Sequence, residues 1–258
     1  MTKKPFILIT GDDSIRSEGA ILVKRVVEKF ADFRIVATKR QMSAVGGALN
    51  LEGAESGTEI VDGAEATWVD AYPSDAVYYA IDIMKLKPDL VISGVNHGDN
   101  ADNAVMLRSG TVGVALTSCF RGFPTVAFSQ RIGDFSWRKE HDGSFRKEML
   151  EYPGKIIKRV VKKALGYKFP KFTFWNINFP AEPTNKLKVV RTSEGPIYPN
   201  YQEGDANHYK YTFKGKFDGW DEDTDAQQLN YGNATLTPCR LEFTKHDELD
   251  NLKLLFKD

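Results

Sequence analysis

Short aliphatic runs, each ending at a turn residue, constrain this chain more than any other feature. Ile7-Leu8-Ile9-Thr10 runs into Gly11, and Leu90-Val91-Ile92-Ser93 into Gly94. Thr125–Ser129 repeats the pattern. Runs of this length and β-branched content read as strands buried on both faces, the kind found in parallel sheets. Helical periodicity alternates with them. Glu18–Phe30 spaces Ile21, Leu22, Val26, Val27 and Phe30 along one face. Ser74 can cap a helix through Met84, with Ala76, Tyr79, Ala80, Ile83 and Met84 on its inner side. Thr111 to Phe120 reads as a third helix and Glu148–Leu165 as a basic amphipathic one. Further strands are expected at Arg34–Ala37, Ala66–Val69 and Phe172–Asn176, with Leu49–Leu51 and Glu59–Val61 pairing as a small hairpin. This alternation predicts an α/β fold: a mainly parallel sheet with helices on both faces.

After Pro180 the helical periodicity stops. Turns, aromatics (Tyr198, Tyr201, Tyr209, Tyr211, Phe213, Trp220) and short extended runs at Val189–Arg191, Tyr209–Phe213, Ala234–Thr237 and Leu241–Thr244 take over. Such a segment buries little alone, and β-hairpin arms exchanged between protomers are its expected use. The 258 residues are read as one domain, with an α/β core over 1–180 and arms over 181–258. Lys plus Arg and Asp plus Glu both number 35, so no overall field calls for nucleic acid or an acidic membrane. Cys119 and Cys239 lack zinc or redox spacing, as expected of reduced thiols in the cytoplasm. The apolar run after Met1-Thr2-Lys3-Lys4 is too short for a leader or an anchor.

Ligands of open α/β sheets bind beyond the carboxyl ends of the strands, so polar clusters there are the candidate chemistry. Asp12 and Asp13 follow Gly11 at the first strand's tip. Adjacent carboxylates repel unless a cation neutralises them, although either Asp13 or Ser14 could instead cap the next helix. Lys39 to Gly47 is a loop of small residues in which Ser43 offers a hydroxyl. Pro73-Ser74-Asp75 is explained by helix capping. Ser93 to Asn100 places Asn96 between glycines Gly94 and Gly98, where its amide oxygen suits a hard cation and its backbone suits a tight turn. Arg108-Ser109-Gly110-Thr111 opens a helix, and its free N–H groups and hydroxyls form an anion site unless Thr111 is merely the cap. His97, His141, His208 and His246 have no metal-ligand spacing, and His97 alone lies in a site loop.

In this order and spacing, the clusters resemble the SurE family of metal-dependent nucleotidases. The matching pieces are Gly11-Asp12-Asp13-Ser14, Arg40-Gln41-Met42-Ser43-Ala44, Pro73-Ser74-Asp75, Ser93 to Asn100, and Arg108-Ser109-Gly110-Thr111-Val112. The likeness continues through Gly122-Phe123-Pro124, Asn176-Ile177-Asn178-Phe179-Pro180, Thr224-Asp225 and Thr235-Leu236-Thr237-Pro238. Four positions depart from the family pattern. Gly11 stands for Asn, Ser14 and Ala44 for Gly, and Arg108 for Tyr.

The resemblance implies a Rossmann-like three-layer core with C-terminal hairpin or extended arms, and a homodimer or homotetramer. It implies one divalent ion per subunit, Mg²⁺ or Mn²⁺, on Asp12, Asp13, Ser43 and Asn96, with Asp12, Asp13 and Asn96 catalytic. Gly94, Ser109, Gly110 and Thr111 would bind the substrate phosphate. The expected function is a phosphomonoesterase of the 5′-nucleotidase, acid-phosphatase-like type. Its substrates would be nucleoside 5′- or 3′-monophosphates and short polyphosphate. The alternative is a metal-dependent nucleotide-binding protein with little turnover, suggested by Gly11 and Ser14. No nucleic-acid or membrane partner is expected. A dinucleotide-binding oxidoreductase is disfavoured, because Gly-Asp-Asp-Ser replaces a Gly-x-Gly-x-x-Gly turn.

Overall fold

The computed structural model describes residues 3–133, 145–195, 200–203, 209–212 and 220–257. Its centre is a nine-stranded sheet. Strand β1 (Phe6–Thr10) lies between β2 (Asp32–Thr38) and β5 (Leu90–His97). Beyond β2 come β4 (Ala64–Val69) and the edge strand β3 (Ser56–Val61). Beyond β5 come β6 (Thr125–Gln130), β7 (Thr173–Phe179), β11 (Ala234–Arg240) and β8 (Leu187–Val189). From β4 through β7 every pairing is parallel, so these strands present their carboxyl ends along one edge. The edge strand β3, and β11 beside the other edge strand β8, run antiparallel to their inner neighbours.

Alternation along β1 shows how the two faces fill. Ile7 and Ile9 enter one apolar cluster while Leu8 enters another on the opposite face. The first cluster takes α1 (Glu18–Val27) and α6 (Gly154–Leu165), which pack together and bury Ile21, Leu22, Val26, Ile156, Ile157 and Val160. Each such side chain contributes roughly 1.5–3 kcal/mol when fully buried. The other face takes α2 (Pro73–Tyr78) and α4 (Gly110–Phe120), and the short helix α3 (Asn103–Arg108) leads into α4. Ser17 caps α1 by accepting from Ala20 N at 3.1 Å. Gly19 lets that helix cross β5 closely, since a Cβ there would lie 1.9 Å from the Val95 carbonyl oxygen.

Several elements differ from the sequence reading. The hairpin is β3 with β4, closed by Asp62 and Gly63 at φ 48° and 73°, the left-handed pair of a type I′ turn. Leu49–Leu51 forms no strand, and Leu51 is exposed. Asp62 accepts from Lys24 Nζ at 3.1 Å and from the Arg25 guanidinium, pinning that turn to α1. The Arg25 hydrogen bond, more than Lys24, holds the Asp62 carboxyl below its ordinary value. Helix α2 is capped at Tyr72, whose N–H donates to Asp75 Oδ2 at 3.0 Å, and not at Ser74. Ser74 Oγ accepts instead from Thr117 on α4 at 3.0 Å. The helix continues as a wider π turn over Tyr79–Ile83, which leaves Ile83 exposed. Pro153 divides the basic helix, because a proline nitrogen has no hydrogen to donate; α5 (Glu148–Glu151) precedes it and α6 follows.

After Pro180 the structure is of two kinds. Strands β8 and β11 belong to the main sheet, so this part is no arm. Strands β9 (Asn200–Glu203) and β10 (Tyr209–Thr212) pair only with each other, as an antiparallel hairpin. Two helices went unread in the sequence, α7 (Asp225–Asn230) and α8 (Leu249–Leu255). Leu241–Thr244 is not a strand. Trp220 is half-buried against Ala101, Ala226 and Leu229. Tyr198, Phe213, His141 and His208 lie outside the described residues. No helix among the described residues is long and apolar enough to cross a membrane.

Candidate active site at the carboxyl edge

Beyond β1 and β5 lies a cavity of about 550 Å³. Asp12, Ser43, Asn96 and Ser109 reach its wall from four separate segments, joined there by His97, Asp99 and Arg108. Backbone hydrogen bonds hold the segments together. Met42 N donates to the Asp12 carbonyl at 2.7 Å, and Gly46 N to the Arg108 carbonyl at 2.8 Å. The loop carrying Ser43 therefore bridges the Asp12 turn and the Ser109 turn.

Asn96 is not in a loop, as its sequence suggested, but in the continuation of β5. The register against β6 shifts between Ser93 and Asn96, a bulge that re-aims the strand. Gly94 makes this possible with φ 101°, and a Cβ there would lie 2.2 Å from the Phe128 carbonyl oxygen. Gly94 is buried in this packing, behind the residues that line the cavity. The Asn96 amide nitrogen donates to the Gly98 carbonyl at 2.7 Å, while its buried Oδ1 has no partner among the described residues.

Asp12 is buried with its Oδ1 accepting from Thr111 Oγ1 at 2.5 Å. Gly110 permits that approach, because a Cβ there would sit 2.8 Å from Asp12 Cβ. Burial, and then the charge of Asp13, raise Asp12 from 3.8 to about 7. Asp13 does not form the cavity wall; its Oδ2 accepts from His97 N at 2.7 Å and ties β1's turn to the end of β5.

The helix opening also differs from expectation. Ser109, not Thr111, caps α4, its Oγ accepting from Val112 N at 3.1 Å. Thr111 is fully buried and commits its hydroxyl to Asp12, so of Ser109, Gly110 and Thr111 it is Ser109 that lines the cavity. The Ser109 hydroxyl keeps its own proton available for an incoming oxygen. Ser14 and Ala44, at two positions where the family pattern has Gly, keep left-handed backbones at φ 78° and 64°. At Gly11 a Cβ would sit 3.2 Å from Gly94 N, a close contact that the absent side chain avoids.

Residues quoted in the motifs above, but given no role there, support the far wall. Asn100 N donates to Asn178 Oδ1 at 2.7 Å, and its side chain donates to Ser129 Oγ at 2.8 Å. Its carbonyl accepts from Asn176 Nδ2 at 2.9 Å. Asp99 pairs with Arg131 at 2.9 Å, and Arg131 also donates to Asn230 on α7 at 2.8 Å. Asp225 accepts from Ser193 N and Ala226 N, both at 2.8 Å; burial raises its carboxyl above the ordinary value. Only the recurrence of Asn in Asn176-Ile177-Asn178, unusual in a buried strand, could have pointed to this network.

The candidate ligand set fits a hard cation in one respect and departs from a common pattern in another. A buried amide oxygen without a partner beside a carboxylate that resists ionisation is a place where a cation restores both. Among the described residues no group of three or more His, Cys, Asp or Glu could hold a metal, so half of the set consists of neutral oxygens, from Ser43 and Asn96.

The open, mainly parallel sheet with its polar cavity at a crevice of strand tips is that of an α/β protein that takes its ligand at the carboxyl edge. Comparison with known proteins narrows this: the chain belongs to the family described as survival protein SurE, whose model matches residues 7–197. It is 31% identical to a 5′-nucleotidase SurE of Methanoculleus marisnigri, covering 98% of both chains. It is also 31% identical to a 5′-nucleotidase SurE of Methanospirillum hungatei, covering 98% of this chain and 92% of the other. The crystal structure of the SurE protein from Aquifex aeolicus superposes with a TM-score of 0.77 at 26% identity, covering 97% of this chain and 99% of that one.

Proposed function

We propose that this protein hydrolyses nucleoside monophosphates, releasing orthophosphate, with a divalent cation as cofactor. The observation that carries the reading is the convergence of Asp12, Ser43, Asn96 and Ser109 on one cavity in a chain of this family. Asp12, Ser43 and Asn96, with Asp13 beside them, would hold one Mg²⁺ or Mn²⁺ per subunit. When bound, that ion supplies Lewis acidity to the phosphoryl group and the attacking water. Asp12 orients the water and takes its proton, the task of a general base within reach of the nucleophile. Thr111 fixes Asp12 through the 2.5 Å hydrogen bond. Ser109 and the N-terminus of α4 receive the phosphate oxygens, where the helix dipole favours negative charge.

The exposed apolar residues of α8 support assembly into a dimer or larger species. Two buried free thiols, Cys119 and Cys239, support a reducing, cytoplasmic setting. A phosphate-release screen over nucleoside 5′- and 3′-monophosphates and short polyphosphate, with and without Mn²⁺ or Mg²⁺, tests the proposal. The expected result is metal-dependent release from at least one monophosphate. Metal-dependent binding of nucleotides without any release would replace hydrolysis with a binding role.

A further inference from the structure

One cavity residue has no duty in the reaction just described. Arg108 stands at the wall shared with Ser109, Asp12 and Asn96, at the position where the family pattern has Tyr. Its backbone is fixed by the hydrogen bond from Gly46 N to its carbonyl. Its side chain is steadied one turn back, where Nε donates to the Ala104 carbonyl at 2.9 Å. The two terminal nitrogens have no hydrogen-bond or ion-pair partner among the described residues. Nearby carboxylates have hydrogen-bond partners of their own, and Arg108 acts on one of them, Asp102, only through its charge. Asp102 accepts from Ala104 N at 2.8 Å and Gly195 N at 3.0 Å, and Asp99 is paired with Arg131. A half-buried guanidinium with an anchored stem and a free fork is a receptor for two oxygens of one phosphate.

We propose that Arg108 gives the cavity a second anion-binding position, so that the site accepts nucleoside diphosphates as well as monophosphates. The inference deepens the function proposed above and rests on it. With the terminal phosphoryl group on the Ser109 turn, a monophosphate offers Arg108 only a neutral sugar and base. A diphosphate offers a second phosphoryl group joined to the first, which the fork holds while its charge offsets repulsion from Asp12. The water oxygen bonds to the terminal phosphorus as that phosphorus separates from the bridging oxygen. The electron pair leaves with the nucleoside monophosphate, the water proton passes to Asp12, and orthophosphate is the second product.

The test is steady-state phosphate release by the full-length protein from adenosine diphosphate and adenosine monophosphate, with Mn²⁺ or Mg²⁺. Wild type is compared with Arg108→Gln, Arg108→Tyr and Arg108→Lys, and thermal midpoints check that each variant folds. The diphosphate-to-monophosphate ratio of kcat/KM should fall about ten-fold or more in the Gln and Tyr variants. Arg108→Lys, which keeps the charge but not the fork, should fall in between. A ratio that stays within about two-fold across all three variants overturns the inference. If wild type releases phosphate from neither nucleotide, the hydrolase reading fails separately. Calorimetric binding of pyrophosphate against orthophosphate then decides about Arg108. Tighter pyrophosphate binding that is lost in Arg108→Gln upholds the second position, and equal affinities in both proteins overturn it.

Discussion

The carboxyl edge of β1 and β5 and the last residues of the chain invert each other. At the edge polar groups are buried: Asp12 and Thr111 retain 3% and 0% exposure. In the tail apolar groups are open: Phe243, Leu254, Leu255 and Phe256 retain 80%, 72%, 73% and 78%. Both arrangements are costly for an isolated chain, because buried charge loses hydration and exposed apolar surface orders water. Under the function proposed above, a cation and a phosphate would relieve the first cost and another protein surface the second. The difference lies in rigidity. The edge is cross-tied by Thr111, Met42, Gly46 and His97, whereas α8 packs little against the rest of the described chain.

Breaking the edge should have the largest effect. Asp12→Asn should lower phosphatase kcat/KM by about a thousand-fold or more, measured with saturating metal. The same variant sharpens the electrostatic account in metal-free buffer. Folded Asp12 holds its proton up to about pH 7, against 3.8 as the ordinary value. A carboxyl raised on folding stabilises most below its unfolded pKa, and the stability is lost as pH climbs to the folded one. Wild type should therefore show a thermal midpoint that falls between pH 4 and pH 7, and Asp12→Asn should flatten that slope.

Ser109→Ala comes next, with a ten- to hundred-fold loss of turnover and a matching rise in the inhibition constant of orthophosphate. Because Ser109 also caps α4, about 1 kcal/mol of stability should go with it. Ser109→Gly separates the two effects, since glycine at a cap costs only a few tenths of a kcal/mol. Equal inhibition constants in wild type and both variants would remove the turn from the site.

At the tail, wild type should scatter light as a dimer or larger at micromolar concentration. Leu254→Glu with Leu255→Glu should weaken that association about ten-fold or more while leaving the metal-free midpoint of the monomer nearly unchanged. A wild-type monomer would break the comparison, leaving the exposed leucines without a purpose in self-assembly. The smallest effect belongs to Ala44→Gly. Releasing a Cβ from φ 64° should raise stability by about 0.5–1 kcal/mol in urea titration.

Sequence made some of this plain and hid the rest for physical reasons. The tips of β1 and β5 were legible because aliphatic runs ending in glycine have few other uses. Glu59–Val61 and Ala66–Val69 were both legible as extended, but Glu59–Val61 was paired with Leu49–Leu51 and not across Asp62-Gly63, the turn that closes the β3–β4 hairpin. Asn96 was read as loop because a bulge lets a strand continue through Gly94 with a polar pattern. Asp12, Ser43, Asn96 and Ser109 were found through motif order, yet no spacing rule could say that Thr111 would turn to Asp12 and leave the cap to Ser109. Helix α8 escaped because its apolar residues answer to no face of the described chain.

The three-way anchoring of Asn100 has a kinetic consequence. Its N–H, carbonyl and side-chain amide are all fixed by β6 and β7, so one wall of the cavity is in position before any ligand arrives. Ligand entry then needs no ordering of that wall and little loss of chain entropy there. Stopped-flow binding of orthophosphate should give one exponential whose rate climbs linearly with concentration. A plateau would reveal a closing step. Asn178→Asp, which leaves the Asn100 N–H an acceptor but adds a buried charge, should disturb this far more through stability than through the shape of the binding transient.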